Sequence, residues 1–116
     1  MTHEELVYAA LSAYSGLENA SIAINSAPQD AVYPFIVLTL VSAYGEHSYS
    51  LRGPSISQTR WQIDVYSNMA SQAIQLAEIV RTCIYESFKG VCMNKSNSFE
   101  KETRAHRTML EFSIWL

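Results

Sequence analysis

The residues in this chain that could do chemistry are few and far apart. Its three histidines are His3, His47 and His106, placed at a helix start, in a polar loop and near the base of the last strand. A general base needs an oriented partner within hydrogen-bond reach, and the one adjacent pair, Glu46 and His47, reads instead as a contact for a partner subunit. Cys83 and Cys92 form neither a CxxC pair nor a zinc-spaced Cys/His cluster. Two thiols are too few for a disulfide framework, and a reducing compartment keeps them as small apolar fillers, with Cys83 inside an expected helix. No serine stands in a GxSxG elbow. Gly16, Gly45, Gly53 and Gly90 are too dispersed for a phosphate loop or a dinucleotide fingerprint. Asp30 and Asp64 are distant in sequence, and the glutamates fall mostly on faces read as wet. The patterns therefore indicate no catalytic residue, no metal site and no cofactor.

The remaining composition describes what such a chain is built for. Of its 116 residues 48% are apolar and 16% charged, a charged share below the usual quarter, which suits a surface that works against partners. The net charge is -3 and the Lys and Arg residues form no basic run, so direct, sequence-specific nucleic-acid binding is not expected. Residues 1–15 carry Glu4 and Glu5 without a cation and do not read as a signal peptide. The longest apolar stretch, Phe35 to Val41, is too short to span a bilayer, so no membrane is expected and synthesis is expected in the cytoplasm. The length predicts one domain over residues 1–116. Among the seven tyrosines, Tyr49, flanked by serines, is the one assigned to an interface.

The elements follow from spacing. Thr2 and Glu5 form a capping box, and Leu6, Val7, Ala10, Leu11 and Tyr14 recur at helical spacing, predicting a helix over 3–15 stopped by Gly16. Ile22 and Ile24 suggest a brief strand within 21–25. After Pro34, the β-rich run 35–44 predicts a strand covered on both faces. Residues 45–54 are polar and glycine-bounded, a long loop or projecting hairpin tip. Over 57–67 the alternation sets Thr59, Trp61, Ile63 and Val65 on a buried face and Gln58, Arg60, Gln62 and Asp64 on a wet one. Ser67 or Asn68 is positioned to cap a helix whose stripe is Ala70, Ala73, Ile74, Ala77, Val80, Ile84 and Phe88, ended by Lys89 and Gly90. Val91–Met93 can start a strand, 94–102 is polar, and the C-terminus alternates with Thr108, Leu110, Phe112 and Ile114 on one side. Helix, strands, long helix, strands implies an α+β fold: two layers, a mostly antiparallel sheet with two helices packed on one face.

With these elements placed, the run Tyr33-Pro34-Phe35-Ile36-Val37 and the strand Trp61-Gln62-Ile63-Asp64-Val65-Tyr66-Ser67 leading into an alanine-rich helix resemble the tail-completion or tail-terminator proteins of long-tailed bacteriophages. The likeness covers nearly the whole chain. It implies a non-enzymatic virion protein, assembled in the host cytoplasm and sited at the head-proximal end of the tail. Copies would form a ring, commonly a hexamer, on the tail tube protein, ending tube growth and presenting a surface to the head connector or stopper. Glu46, His47, Tyr49 and Arg52 of the polar loop would supply contacts to neighbours. Two other readings fit the same residues: a head-completion or stopper subunit of the same joint, or a small enzyme or ligand-binding domain whose site converges from His47, His106 and acidic side chains.

Overall fold

The N-terminal residues fold as their spacing predicts. In the computed structural model, which describes residues 2–27, 32–45 and 57–116, the Thr2 hydroxyl accepts the Glu5 N–H at 3.1 Å and the Thr2 N–H donates to Glu5 Oε1 at 3.4 Å. This closes the capping box. Helix α1 (His3–Ala13) buries Val7 and Leu11. It ends at Ala13 and not at 15, because Tyr14 is extended (φ -79°, ψ 134°). The Tyr14 hydroxyl donates to Glu86 at 2.8 Å, which pins the end of α1 to the second helix; that bond to a carboxylate, followed by burial, raises the phenol's pKa.

The strands are β1 (Ser21–Ile24), β2 (Phe35–Gly45), β3 (Ser57–Ser67), β4 (Val91–Glu100) and β5 (Ala105–Trp115), with α2 (Ala70–Phe88) between β3 and β4. They form one five-stranded sheet in the order β1-β2-β3-β5-β4. The β1–β2 pair is parallel and the others antiparallel, so the fold is α+β with a mostly antiparallel sheet. The alternation in β3 and β5 sets the core: Trp61, Ile63, Val65, Leu110, Phe112 and Ile114 are buried under α1 and α2 with Val7, Leu11, Val80 and Ile84. Each such side chain, fully buried, contributes roughly 1.5–3 kcal/mol of transfer free energy. The polar groups inside are paired. The Thr59 hydroxyl donates to the Ile114 carbonyl at 2.6 Å and accepts the Trp61 indole N–H at 2.8 Å.

Four expectations need correction. First, β2 is buried on both faces only from Ile36 to Leu38, and Val41 is well exposed. Second, α2 starts at Met69 without a side-chain cap, because the Ser67 hydroxyl accepts the Met69 N–H and bonds Gln72, closing the turn before the helix. Third, the α2 stripe is narrower than its periodicity suggests: Ala70 and Ile74 stay exposed, while Cys83 joins the core. Fourth, β4 continues through the polar residues 94–100. An edge strand exposed on both faces has no reason to alternate, so backbone pairing with β5 decides its state.

The end of α2 explains Gly90. Lys89 takes the left-handed conformation (φ 56°), and the N–H groups of Lys89 and Gly90 bond Tyr85 and Ile84 carbonyls, satisfying acceptors the helix leaves open. A β-carbon on Gly90 would lie 2.6 Å from Ile84 Cγ2 and 2.9 Å from Ile114 Cγ1. Gly90→Ala should therefore destabilise the protein by about 1–3 kcal/mol, as overpacking does. Urea melts check it, and an unchanged midpoint would mean the α2–β5 contact gives way freely.

Candidate assembly surface

The face of the sheet opposite the helices has two unlike halves. On the half nearest β1, Tyr33, Phe35 and Tyr66 stack with ring centroids 5.3 and 4.7 Å apart. The Arg107 guanidinium lies 5.9 Å from the Tyr66 ring and pairs with Asp64 through Nη2 at 2.8 Å and Nε at 2.9 Å. Gln62 donates to the other Asp64 oxygen at 3.0 Å. Asp64 thus sits on the face read as wet but is only 5% exposed: the Arg107 guanidinium and the Gln62 amide are bonded to it. Burial works against the Arg107 charge, but the hydrogen bond and charge of Asp64 outweigh it and hold the guanidinium above its usual pKa. Burial likewise pushes the Tyr66 hydroxyl up. This half of the face is closed by its own side chains.

The other half is not closed. The β2–β3 ladder slips between Leu40 and Ser42, and the β4–β5 ladder slips between Cys92 and Asn94. Both slips fall at the row of Trp61 and Phe112, so two bulges at one height each insert an extra residue. The inserted residues are Val41 and Met93, 59% and 53% exposed. With Arg60, Gln62 and Glu111 they line a shallow cavity of about 110 Å³ on this face. Trp115 near the end of β5 and Val91 at the start of β4 are exposed as well. Beside α2, a wider groove of about 540 Å³ exposes Tyr85 and Val91 next to Arg81. There Glu78 accepts from Lys95 Nζ at 2.8 Å, a bond that lowers the Glu78 pKa.

The loop residues proposed from the sequence, Glu46, His47, Tyr49 and Arg52, lie outside the described residues. His3 opens α1, while His106 sits against the Phe99 ring at 4.8 Å. Among the described residues no group of three or more His, Cys, Asp or Glu is arranged to hold a metal ion, and no helix is long and apolar enough to cross a membrane. Sequence reasoning missed Val41 and Met93. Their only signal is an apolar residue that breaks a strand's alternation, which periodicity alone assigns to neither face.

The thiols differ sharply in environment. Cys83 is buried among the core residues, and burial raises its pKa; Cys92 is partly exposed on β4. Iodoacetamide on the native protein should therefore alkylate Cys92 at least about tenfold faster than Cys83, because reaction needs an accessible thiolate. Peptide mass spectrometry reads the two sites, and equal labelling would show that α2 opens readily.

The fold is a shared one: 30 chains of solved structures match it. One belongs to the virion of a native gene transfer agent (GTA) particle, with a TM-score of 0.57 and 13% identity over 97% of this chain and 92% of that one. At that identity the likeness is one of fold. Comparison with curated proteins gave no match. The sequence is more specific: the family model described as Tail completion protein gp17 matches residues 5–116, and the chain belongs to that family. Its role is a structural one in tail assembly.

Proposed function

We propose that this chain is a tail terminator: copies form a ring, six to a turn, on the last ring of the tail tube. The ring ends tube growth and offers the head connector its docking surface, at the head-proximal end of a tail assembled in the host cytoplasm. The observation that carries this reading is the family match over residues 5–116, which takes in every element from α1 to β5. The open sheet face supports it, since Val41, Met93 and Trp115 present apolar area that a neighbouring ring can cover. A tube grows because each ring offers the next a complementary, heterologous face, and growth ends at a subunit that matches the tube on one side only. Modest contacts suffice, because several subunits bind together and raise one another's effective concentration.

In this reading the chain acts as one unit without catalysis, and Glu46, His47, Tyr49 and Arg52 contact neighbouring subunits or the tube. Shortening residues 45–54 to a tight turn should leave folding stability within about 1 kcal/mol while abolishing particle assembly, since surface connections carry function more than core. Gold-labelled antibody against the chain tests the location in electron micrographs of tails. Label at a single end, beside the head, is expected. Label along the tube or over the head would overturn the proposal.

A further inference from the structure

The two edges of the sheet carry opposite charge, and they match in register. The first 51 residues contain no Lys or Arg; the strand order puts β1 at one edge, and α1 packs beside it, so Glu4, Glu5 and Glu18 fall on that side. At the other edge, residues 89–107 hold five Lys or Arg against two Glu; Lys95 lies on β4 itself, and Lys101 and Arg104 in the turn that follows it.

Following the ladders across the sheet, Ser21 is level with Phe35, Tyr66, Arg107 and Ser98, and Ile24 with Leu38, Ile63, Leu110 and Lys95. Ser21–Ile24 and Lys95–Ser98 therefore occupy the same height on opposite edges and run in opposite directions. Among the described residues both are open to pairing. The N–H groups of Ser21 and Asn25 bond Pro34 and Leu38 carbonyls of the β2 side, so the alternate residue Ile22 turns its N–H and C=O outward. Lys95–Ser98 is exposed throughout, has no proline, and its one lysine is drawn onto Glu78 of α2. Of the usual guards of a free edge, the bulge at Met93 lies outside this stretch.

The geometry points to a second copy of this chain as the occupant: β4 of one subunit adds antiparallel to β1 of the next, Lys95–Ser98 against Ser21–Ile24, with the acidic α1 edge facing Lys101 and Arg104. Such a contact is heterologous, and where its rotation closes, repetition makes a ring. The inference rests on the ring reading above and supplies its subunit interface. Long-range attraction between the edges also sets the direction of assembly and makes it sensitive to salt.

Charge reversal on each edge tests it. E4K/Y8K/S12K, three positions one helical turn apart on α1 and none of them buried, makes the α1 edge basic while keeping Glu18, which holds the Gly16 N–H at 2.9 Å; K101E/R104E makes the β4 edge acidic. Sedimentation velocity should show each variant alone needing at least about tenfold more protein than the unmodified chain to self-associate, and the equimolar mixture recovering the unmodified behaviour, as complementary charges predict. Recovery in the mixture also shows that both variants are folded. Variants that associate as the unmodified chain does would overturn the edge assignment and leave the ring standing. So would a mixture that does not recover, or an effect confined to K101E/R104E, which would mark a symmetric β4–β4 contact. An unmodified chain that stays monomeric at every concentration would overturn the ring itself.

Discussion

Replacing Trp61 by alanine should destabilise the protein by about 3–5 kcal/mol, the range for removing a large buried aromatic side chain. Trp61 is 1% exposed. It lies on β3 directly across from Leu40 on β2 and Phe112 on β5, so the cavity left behind is walled by strands that cannot collapse into it. The loss is also polar. The indole N–H donates to Thr59 Oγ1, whose hydroxyl is committed to the Ile114 carbonyl, and truncation removes the first of these linked bonds. Trp61→Phe separates the two effects, because it keeps most of the apolar volume and should cost about 1–2 kcal/mol for the lost bond and the smaller ring. Guanidinium melts measure both. A Trp61→Ala loss under about 1 kcal/mol would put this side chain on the surface and invert the two faces of β3.

Arg107→Ala should cost about 2–4 kcal/mol. Breaking a buried ion pair from one side typically costs about 3–5 kcal/mol, because the partner is left buried and unpaired. The expectation is set lower here because the Arg107 side chain is 27% exposed, against 7% for Asp64. Removing the guanidinium takes two hydrogen bonds from Asp64 and leaves only Gln62. It also takes the cation from the Tyr66 ring. The double variant D64N/R107A should recover at least about 1 kcal/mol of the loss, since a neutral amide bears burial better than an orphaned carboxylate. Thermal melts of these two variants and of D64N alone complete the cycle. If Arg107→Ala shifts stability by under about 0.5 kcal/mol, the pair is screened like a surface ion pair and the closed half of the sheet face is held by the stacked rings alone.

What could be read from the sequence was what a half-buried element writes into it. In β3, one face touches the helices and the other does not, so Thr59, Trp61, Ile63 and Val65 alternate with polar residues; the strand bounds follow as well. The capping box of α1 was equally legible, since it is local chemistry between Thr2 and Glu5. The polar half of β4 was not, because an edge strand open on both sides leaves no pattern and is specified by its partner β5. The bulges were hidden for a related reason: Val41 and Met93 gain their exposure from slips in pairing with other strands. Asp64 looked wet because its cover, Arg107, comes from far along the chain. The charge asymmetry was present in the residue order, but only the strand order turns it into two opposed edges. The family resemblance, carried by residues 33–37 and 61–67, agrees with the family model over residues 5–116.

The claim that this chain ends tail growth is tested most directly by the lengths of tails made without it. Electron micrographs of particles assembled with the gene deleted should show tubes running well beyond the normal length and filled heads without tails, with uniform, joined tails restored when the chain is supplied. Tails of normal length seated on filled heads in its absence would contradict the account.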